Sequence, residues 1–150
     1  ACDERHAAAL DSGVAEVSVY QLLQAALQTA CRNHAPLAGG VTAIFDAPPV
    51  RSAPPYAVIA ESVLTDWGAK GLAGREARVA VSLHDIGERP VQLRALMSAA
   101  EDALAEMPRA IGEGWAIVTL VLLRSRIVRE SEGHWIATSE FRVRMLRSEL

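Results

Sequence analysis

The chain has 150 residues, 51% of them apolar and 22% charged, with a net charge of −3. That length suits one domain with a real core, and the composition excludes a disordered chain. The acidic balance argues against a dedicated nucleic-acid binder, and no apolar run approaches the roughly 20 residues that a membrane-crossing helix requires.

Residues 1–17 are mixed in character and read as a weakly ordered arm, with one helical turn at Ala7 to Leu10. The start is charged with no apolar stretch behind it, so no signal peptide is expected and the chain reads as intracellular when made. Cys2 and Cys31 form no disulfide framework and are expected as reduced thiols. Residues 18–150 are expected to form a single α+β domain. Its first helix opens at Ser18, with Gln21 completing a capping box. Val19, Leu22, Leu23, Ala26, Leu27 and Ala30 recur at helical spacing, while Gln21, Gln24, Gln28 and Arg32 fall on the opposite, polar face. Pro36 is expected to end the helix by disfavouring helical backbone at Ala35. Gly39-Gly40 reads as a turn and Val41 to Phe45 as a short strand.

Two Pro-Pro pairs, Pro48-Pro49 and Pro54-Pro55, then frame an extended loop that cannot join a ladder. Such rigidity suits an ordinary surface bridge or a loop held stiff for docking. A strand from Tyr56 to Leu64 follows, then a glycine-rich connection over 65–74, then a strand from Arg75 to His84. In that strand Ala77, Val79, Val81 and Leu83 alternate with Glu76, Arg78, Ser82 and His84. The alternation predicts an antiparallel sheet with one buried face, and the pair of strands predicts a hairpin with a long tip. A second helix runs from Pro90 to Pro108 on Leu93, Leu96, Met97, Ala100, Leu104 and Met107. Residues 111–114 read as a turn. A strand from Trp115 to Arg129 or Glu130 and another from His134 to Leu146 close on Ser131-Glu132-Gly133. The expected register sets Glu130 against His134, Arg124 against Glu140, Leu123 against Phe141, Val121 against Val143 and Thr119 against Met145. A hairpin of that length is expected to project beyond the core. The predicted fold is an antiparallel sheet of four to five strands with two helices packed on one face.

The residues point to surfaces rather than to chemistry. Cys31 and His34 have ligand-like spacing, but a zinc site needs three or four ligands and no second pair accompanies them; Cys2 and His6 lie in the arm. Ser82, His84 and Asp85 are neighbours, yet alternation turns Asp85 to the other face. Glu101-Asp102 reads as a solvated helix face, and the 68–74 glycines lack the ending of a phosphate loop. No cofactor or metal site is expected. Two alternatives stay open: a small hydrolase or metal-dependent enzyme using Cys31, His34 and His84, and a generic oligomeric scaffold. Arg124, Arg126, Arg142 and Arg144 with Glu140 are read as sharing a sheet face with Leu120, Leu122, Val128 and Ile136. A mixed arginine and aliphatic face of this kind suits protein–protein contact. Trp67, at the loop tip, is a second candidate anchor.

Several stretches together resemble the tail-completion, or tail-terminator, family of long-tailed phages and of phage-like gene transfer agents. They are Leu22-Leu23-Gln24-Ala25-Ala26-Leu27, Ile44-Phe45-Asp46-Ala47-Pro48-Pro49, Pro55-Tyr56-Ala57-Val58-Ile59, Thr65-Asp66-Trp67 and Phe141-Arg142-Val143-Arg144. The resemblance covers residues 18–147; the arm before it is a departure. It implies a structural protein, not an enzyme, that forms a ring, usually a hexamer, at the head-proximal end of a tail tube. Such a ring ends tube polymerisation and joins the tail to the head connector, with DNA passing through its lumen without specific binding. The subunit would assemble in the cytoplasm and then reside in a particle, with no membrane partner. On that implication, subunit–subunit contacts are expected at Leu120, Leu122, Arg124, Arg126, Glu140, Arg142 and Arg144. Contacts to the tube or the connector are expected at Asp46, Pro48, Pro49, Arg51, Pro54, Asp66, Trp67 and Lys70.

Overall fold

A computed structural model describes residues 17–148. The predicted helical turn at Ala7 to Leu10, Cys2 and His6 lie outside the described residues. The elements are α1 (Val19–Asn33), α2 (Ala35–Ala38), β1 (Ile44–Phe45), β2 (Tyr56–Ile59), β3 (Val63–Asp66), β4 (Gly74–Ile86), α3 (Val91–Ala105), β5 (Ala110–Gly112), β6 (Trp115–Ser131) and β7 (His134–Arg147). The fold is α+β, but the sheet has seven strands rather than four or five, in the order β1-β2-β4-β7-β6-β5 with β3 also on β4. It is not purely antiparallel, because β1 pairs parallel to β2.

Helix α1 forms as its sequence dictates. Ser18 accepts from the Gln21 backbone N–H at 3.2 Å, and the Gln21 side chain accepts from the Ser18 N–H at 3.1 Å. Pro36 does not end helical structure outright. It sits in the first turn of the short α2, where its missing N–H costs nothing. The strand expected over 41–45 shrinks to two residues.

The strand expected over 56–64 is split. β2 and β3 both pair with β4, but their registers differ by one residue. The extra residue is a bulge at 60–62, and it turns Ser62 inward, where it is buried. β4 keeps its predicted alternation, with Ala77, Val79, Val81 and Leu83 all buried. The hairpin expected between β3 and β4 is present. Its tip is tight: the Trp67 N–H donates to the Gly74 carbonyl at 3.1 Å, and a Cβ on Gly74 would lie 3.2 Å from the Gly68 backbone.

Helices α1 and α3 bury Leu23, Leu27, Leu93, Leu96 and Leu104 against the side of the sheet that carries Phe141, Val143 and Met145. Residues 111 and 112, expected in a turn, instead join Ala110 in β5 against the start of β6. The Glu101 carboxylate, expected to be solvated, accepts from the buried Ser139 hydroxyl at 2.9 Å.

The β6–β7 hairpin differs most from expectation. It does not project alone, because β4 pairs with β7 from Gly74–Leu146 to Ile86–His134. Its tip is tied down as well, since the Gly87 N–H donates to the Gly133 carbonyl at 2.8 Å and the Trp135 indole N–H to the Gly87 carbonyl at 3.1 Å. The expected register holds at Arg124–Glu140 and through the tip-side pairs to Arg129–Trp135. It then fails on both sides. His134 faces Ser131 rather than Glu130, and the pairs nearer the core are Leu122–Phe141, Leu120–Val143 and Ile117–Met145. Bulges at Leu123 and Val118 each insert one unpaired residue, and each reverses which face the next β6 side chain takes.

Candidate assembly surfaces

The side of the sheet away from the helices carries the arginines. β4 contributes Glu76 and Arg78, β7 contributes Glu140, Arg142 and Arg144, and β6 contributes Arg124 and Arg126. Arg124 grips Glu140 with both ends of its fork, Nε at 2.6 Å and Nη2 at 3.3 Å. This pair holds the Glu140 carboxyl below the usual carboxylate range and pushes the Arg124 guanidinium up. Arg144 donates to Glu76 at 2.9 Å and lies 5.0 Å over the Trp67 ring. Arg142 stands 3.8 Å from Glu76, an ion-pair distance too long for a hydrogen bond. Arg78 and Arg126 are exposed and form no ion pair among the described residues, although both help to lower Glu140.

Leu120 and Leu122 are not on this face. The Leu123 bulge sends both to the helix side, opposite Val143 and Phe141. Val128 and Ile136 do share the arginine face, as expected, and the exposed Val63, Val121 and Leu123 join them. Trp67 is half-buried beneath Arg144 rather than free as an anchor.

The Pro-rich loop stays outside the ladder, as its prolines require. The Thr42 hydroxyl fastens its far end by donating to the Ala53 carbonyl at 2.5 Å. Between the loop and the sheet is a cavity of about 420 Å³ lined by Asp46, Pro48, Pro49, Tyr56, Ser82 and His84 among others. Arg51 and Lys70 are exposed in their loops. Tyr56 stacks on His84 with ring centroids 4.7 Å apart. Burial first, and then the neighbouring His134, hold the His84 imidazole below its ordinary value.

Another cavity, of about 340 Å³, is lined by Tyr20, Gln21, Gln24, Ala25, Gln28, Asp46 and Glu61. The Tyr20 hydroxyl donates to Glu61, and that hydrogen bond raises the tyrosine's pKa. The Ser62 hydroxyl donates to Gln24 Oε1 at 2.5 Å. Gln28, which helical spacing places on the polar stripe, is only 9% exposed, and its amide nitrogen and oxygen have no partner among the described residues. The sequence signals neither the burial nor the cavity, whose lining joins α1 to Asp46 and Glu61 from segments remote in the chain.

Cys31 is fully buried, and burial pushes its thiol up to about 11, so it is a protonated core residue. His34 lies 3.4 Å from Glu106 rather than beside a ligand partner, and no group of three candidate metal ligands exists among the described residues. Ser82 and His84 approach to 3.4 Å, but the Asp85 carboxylate turns to the Ile86 backbone N–H instead.

A family model described as "Tail completion protein gp17" matches residues 25–146. A chain in the structure titled "Virion of native gene transfer agent (GTA) particle" is 28% identical. It superposes with a TM-score of 0.75, over 87% of this chain and 99% of that one. The gp17 protein of bacteriophage SPP1 is also similar, at 19% identity and a TM-score of 0.48, with 85% of this chain and 95% of that one covered. No curated protein matches the sequence.

Proposed function

The chain belongs to the tail completion protein gp17 family, and on that premise we propose that it is a structural subunit of a phage-like tail. In this reading copies of the chain close into a ring, six being the expected number, at the head-proximal end of the tail tube. The ring ends tube polymerisation and presents the surface that receives the head connector. DNA passes through the lumen without being read, and no cofactor takes part. The observation that carries this reading is the superposition along 99% of a chain from a gene transfer agent virion.

The surfaces fit a ring subunit. The arginine and aliphatic face offers the mixed character of a protein contact, with Arg78 and Arg126 available to a neighbour. Arg124, Arg142 and Arg144 already serve carboxylates of their own chain and act by shaping that face. The Pro-rich loop, with Asp46, Pro48, Pro49, Arg51 and Pro54, is stiff enough to dock with little loss of entropy, and it is assigned with Asp66, Trp67 and Lys70 to the tube or the connector.

Negative-stain imaging with light scattering of the purified protein tests the ring. Six-fold rings near six times the chain mass are expected; a monomer at every concentration would sink the reading. Removing residues 68–73 should abolish head–tail joining while leaving rings intact. Unimpaired joining would take the tip out of that role.

A further inference from the structure

Four strands of the sheet have an outer edge, and two of these edges are closed. β1 offers two residues, and the Arg32 guanidinium already donates to the Ile44 carbonyl at 3.5 Å. β5 offers three and packs on α1, where a Cβ on Gly112 would lie 3.2 Å from the Leu22 side chain. The other two edges are bare among the described residues: β3, which pairs only with β4, and β6 beyond Ile117. Bulges at Leu123 and Glu130 interrupt β6, but Arg124 to Arg129 pairs with β7 without a break.

Which backbone groups point outward follows from the alternation of an antiparallel ladder. The Trp67 N–H donates to the Gly74 carbonyl, so Val63 and Thr65 also bond to β4, while Leu64 and Asp66 turn their N–H and C=O groups out. The same alternation, carried across β4 and β7, turns Ser125 and Ile127 of β6 outward. Such unpaired rows are templates for strand addition. One row lies at each side of the sheet, and the two are unlike, as a head-to-tail, ring-closing contact requires.

Sense and register are then fixed. Within the chain β3 and β6 run in opposite senses, because β3–β4, β4–β7 and β7–β6 are all antiparallel. Rotation about a ring axis keeps the sense of strands that run along it, so β6 of one copy meets β3 of the next antiparallel. Partners must also share a face. Val63 and Thr65 stand on the arginine face with Val128, and Leu64 stands on the helix side with Ile127. Setting Val63 against Val128 sets Leu64 against Ile127 and the outward groups of Asp66 against those of Ser125. The valines, 63% and 39% exposed, cover each other, and the half-buried Leu64 and Ile127, each packed on its own core, meet across the seam. A slip of two residues sets Val63 against Arg126 or Glu130 and loses both apolar pairs.

We propose that β3 of one copy pairs antiparallel with Ser125 to Val128 of the next, continuing the sheet from subunit to subunit. This rests on the ring reading above and names a strand pair that joins its neighbours.

Cross-linking of the full-length chain tests it, in a Cys2→Ser background. Val63→Cys with Val128→Cys should form a disulfide between copies on mild oxidation, seen as a ladder up to the full ring on a non-reducing gel. The two positions face each other as a non-hydrogen-bonded pair with Cα atoms about 4.5 Å apart, within the span of a disulfide. Val63→Cys with Arg126→Cys should stay monomeric on the gel. Ser125→Pro removes an outward N–H that no bond within the chain uses. Far-UV circular dichroism should hold while association weakens on the order of 10-fold at each contact in light scattering, and Ser125→Ala should keep rings. If the proline unfolds the chain, the cross-link decides. Wild-type rings without the Val63–Val128 cross-link, or with association unchanged by a folded Ser125→Pro, overturn the strand contact and leave the ring standing. Cross-linking through Arg126 in place of Val128 overturns the register and the proposal with it. A wild-type protein that never forms rings removes the ring reading, and the contact with it.

Discussion

β7 and β6 are the two arms of one hairpin and obey different rules. β7 is held on both sides, by β4 along its whole length and by β6, and its alternate residues Ala137, Ser139, Phe141, Val143 and Met145 are all buried. A slipped residue there would expose that entire set, so period-two patterning is enforced. β6 has a neighbour on one side only beyond Ile117, and it carries bulges at Val118 and Leu123 with nearly every residue from 121 to 131 exposed. Bulges and charges also blunt an open edge against indiscriminate strand pairing. One arm is therefore written by the core, and the other is free to be written by a partner.

The largest expected effect tests the first half of that contrast. Phe141 is 2% exposed at the centre of the core, and Phe141→Ala should cost about 3–5 kcal/mol of unfolding free energy by denaturant titration. Its cross-strand partner Leu122 is 42% exposed, so Leu122→Ala should cost no more than about 1.5 kcal/mol. Equal losses at the two positions would erase the distinction between the arms.

A smaller effect sharpens the contrast. Deleting Leu123 removes the bulged residue and leaves Leu122 opposite Phe141 and Arg124 opposite Glu140, each still on its own face. The deletion should therefore change stability by less than about 1 kcal/mol, within the range of ordinary surface changes or slightly beyond it. It also takes an exposed leucine from the arginine face, so any loss of assembly would come without loss of fold. A cooperative unfolding midpoint that collapses on this deletion would mean that the bulge is needed by the core.

The same contrast explains what the sequence made legible. Helix α1 was legible because its capping box and apolar spacing are local. β4 and the Arg124–Glu140 pair were legible because burial on one face imposes strict alternation. The bulges at 60–62, Val118 and Leu123 were not, since no glycine or proline marks them and the apolar run Leu120–Leu123 reads equally well in either register. Unbroken alternation therefore sets Leu120 and Leu122 with the arginines, whereas the Leu123 bulge turns both to the helix side. β5 and the parallel β1–β2 pair leave no pattern in the sequence because each involves only two or three residues. Gln28 is illegible for a different reason: a polar residue at helical spacing signals solvent, and only the folded chain buries it.

The smallest expected effect asks whether the security of β7 extends to its first residue. His134 opens the strand opposite Ile86, and its ring lies 6.0 Å from His84, which stacks on Tyr56. Burial and then the charge of His134 lower the His84 pKa in the folded chain, while nearby Glu130 works against them; the unfolded value stays near 6.5. Above that value both states are neutral at this site, and its full contribution to stability is present. As the pH falls below it, the unfolded chain takes up a proton that the folded chain refuses, so stability erodes until the lowered folded value is passed. The melting temperature should fall between pH 7.5 and pH 5.5, and His84→Phe, which keeps an aromatic ring against Tyr56, should flatten that slope. The change should be modest, because His84 is only half-buried and remains partly solvated. An identical slope in the variant would assign the titration to another group and leave the tip of β7 as secure as its centre.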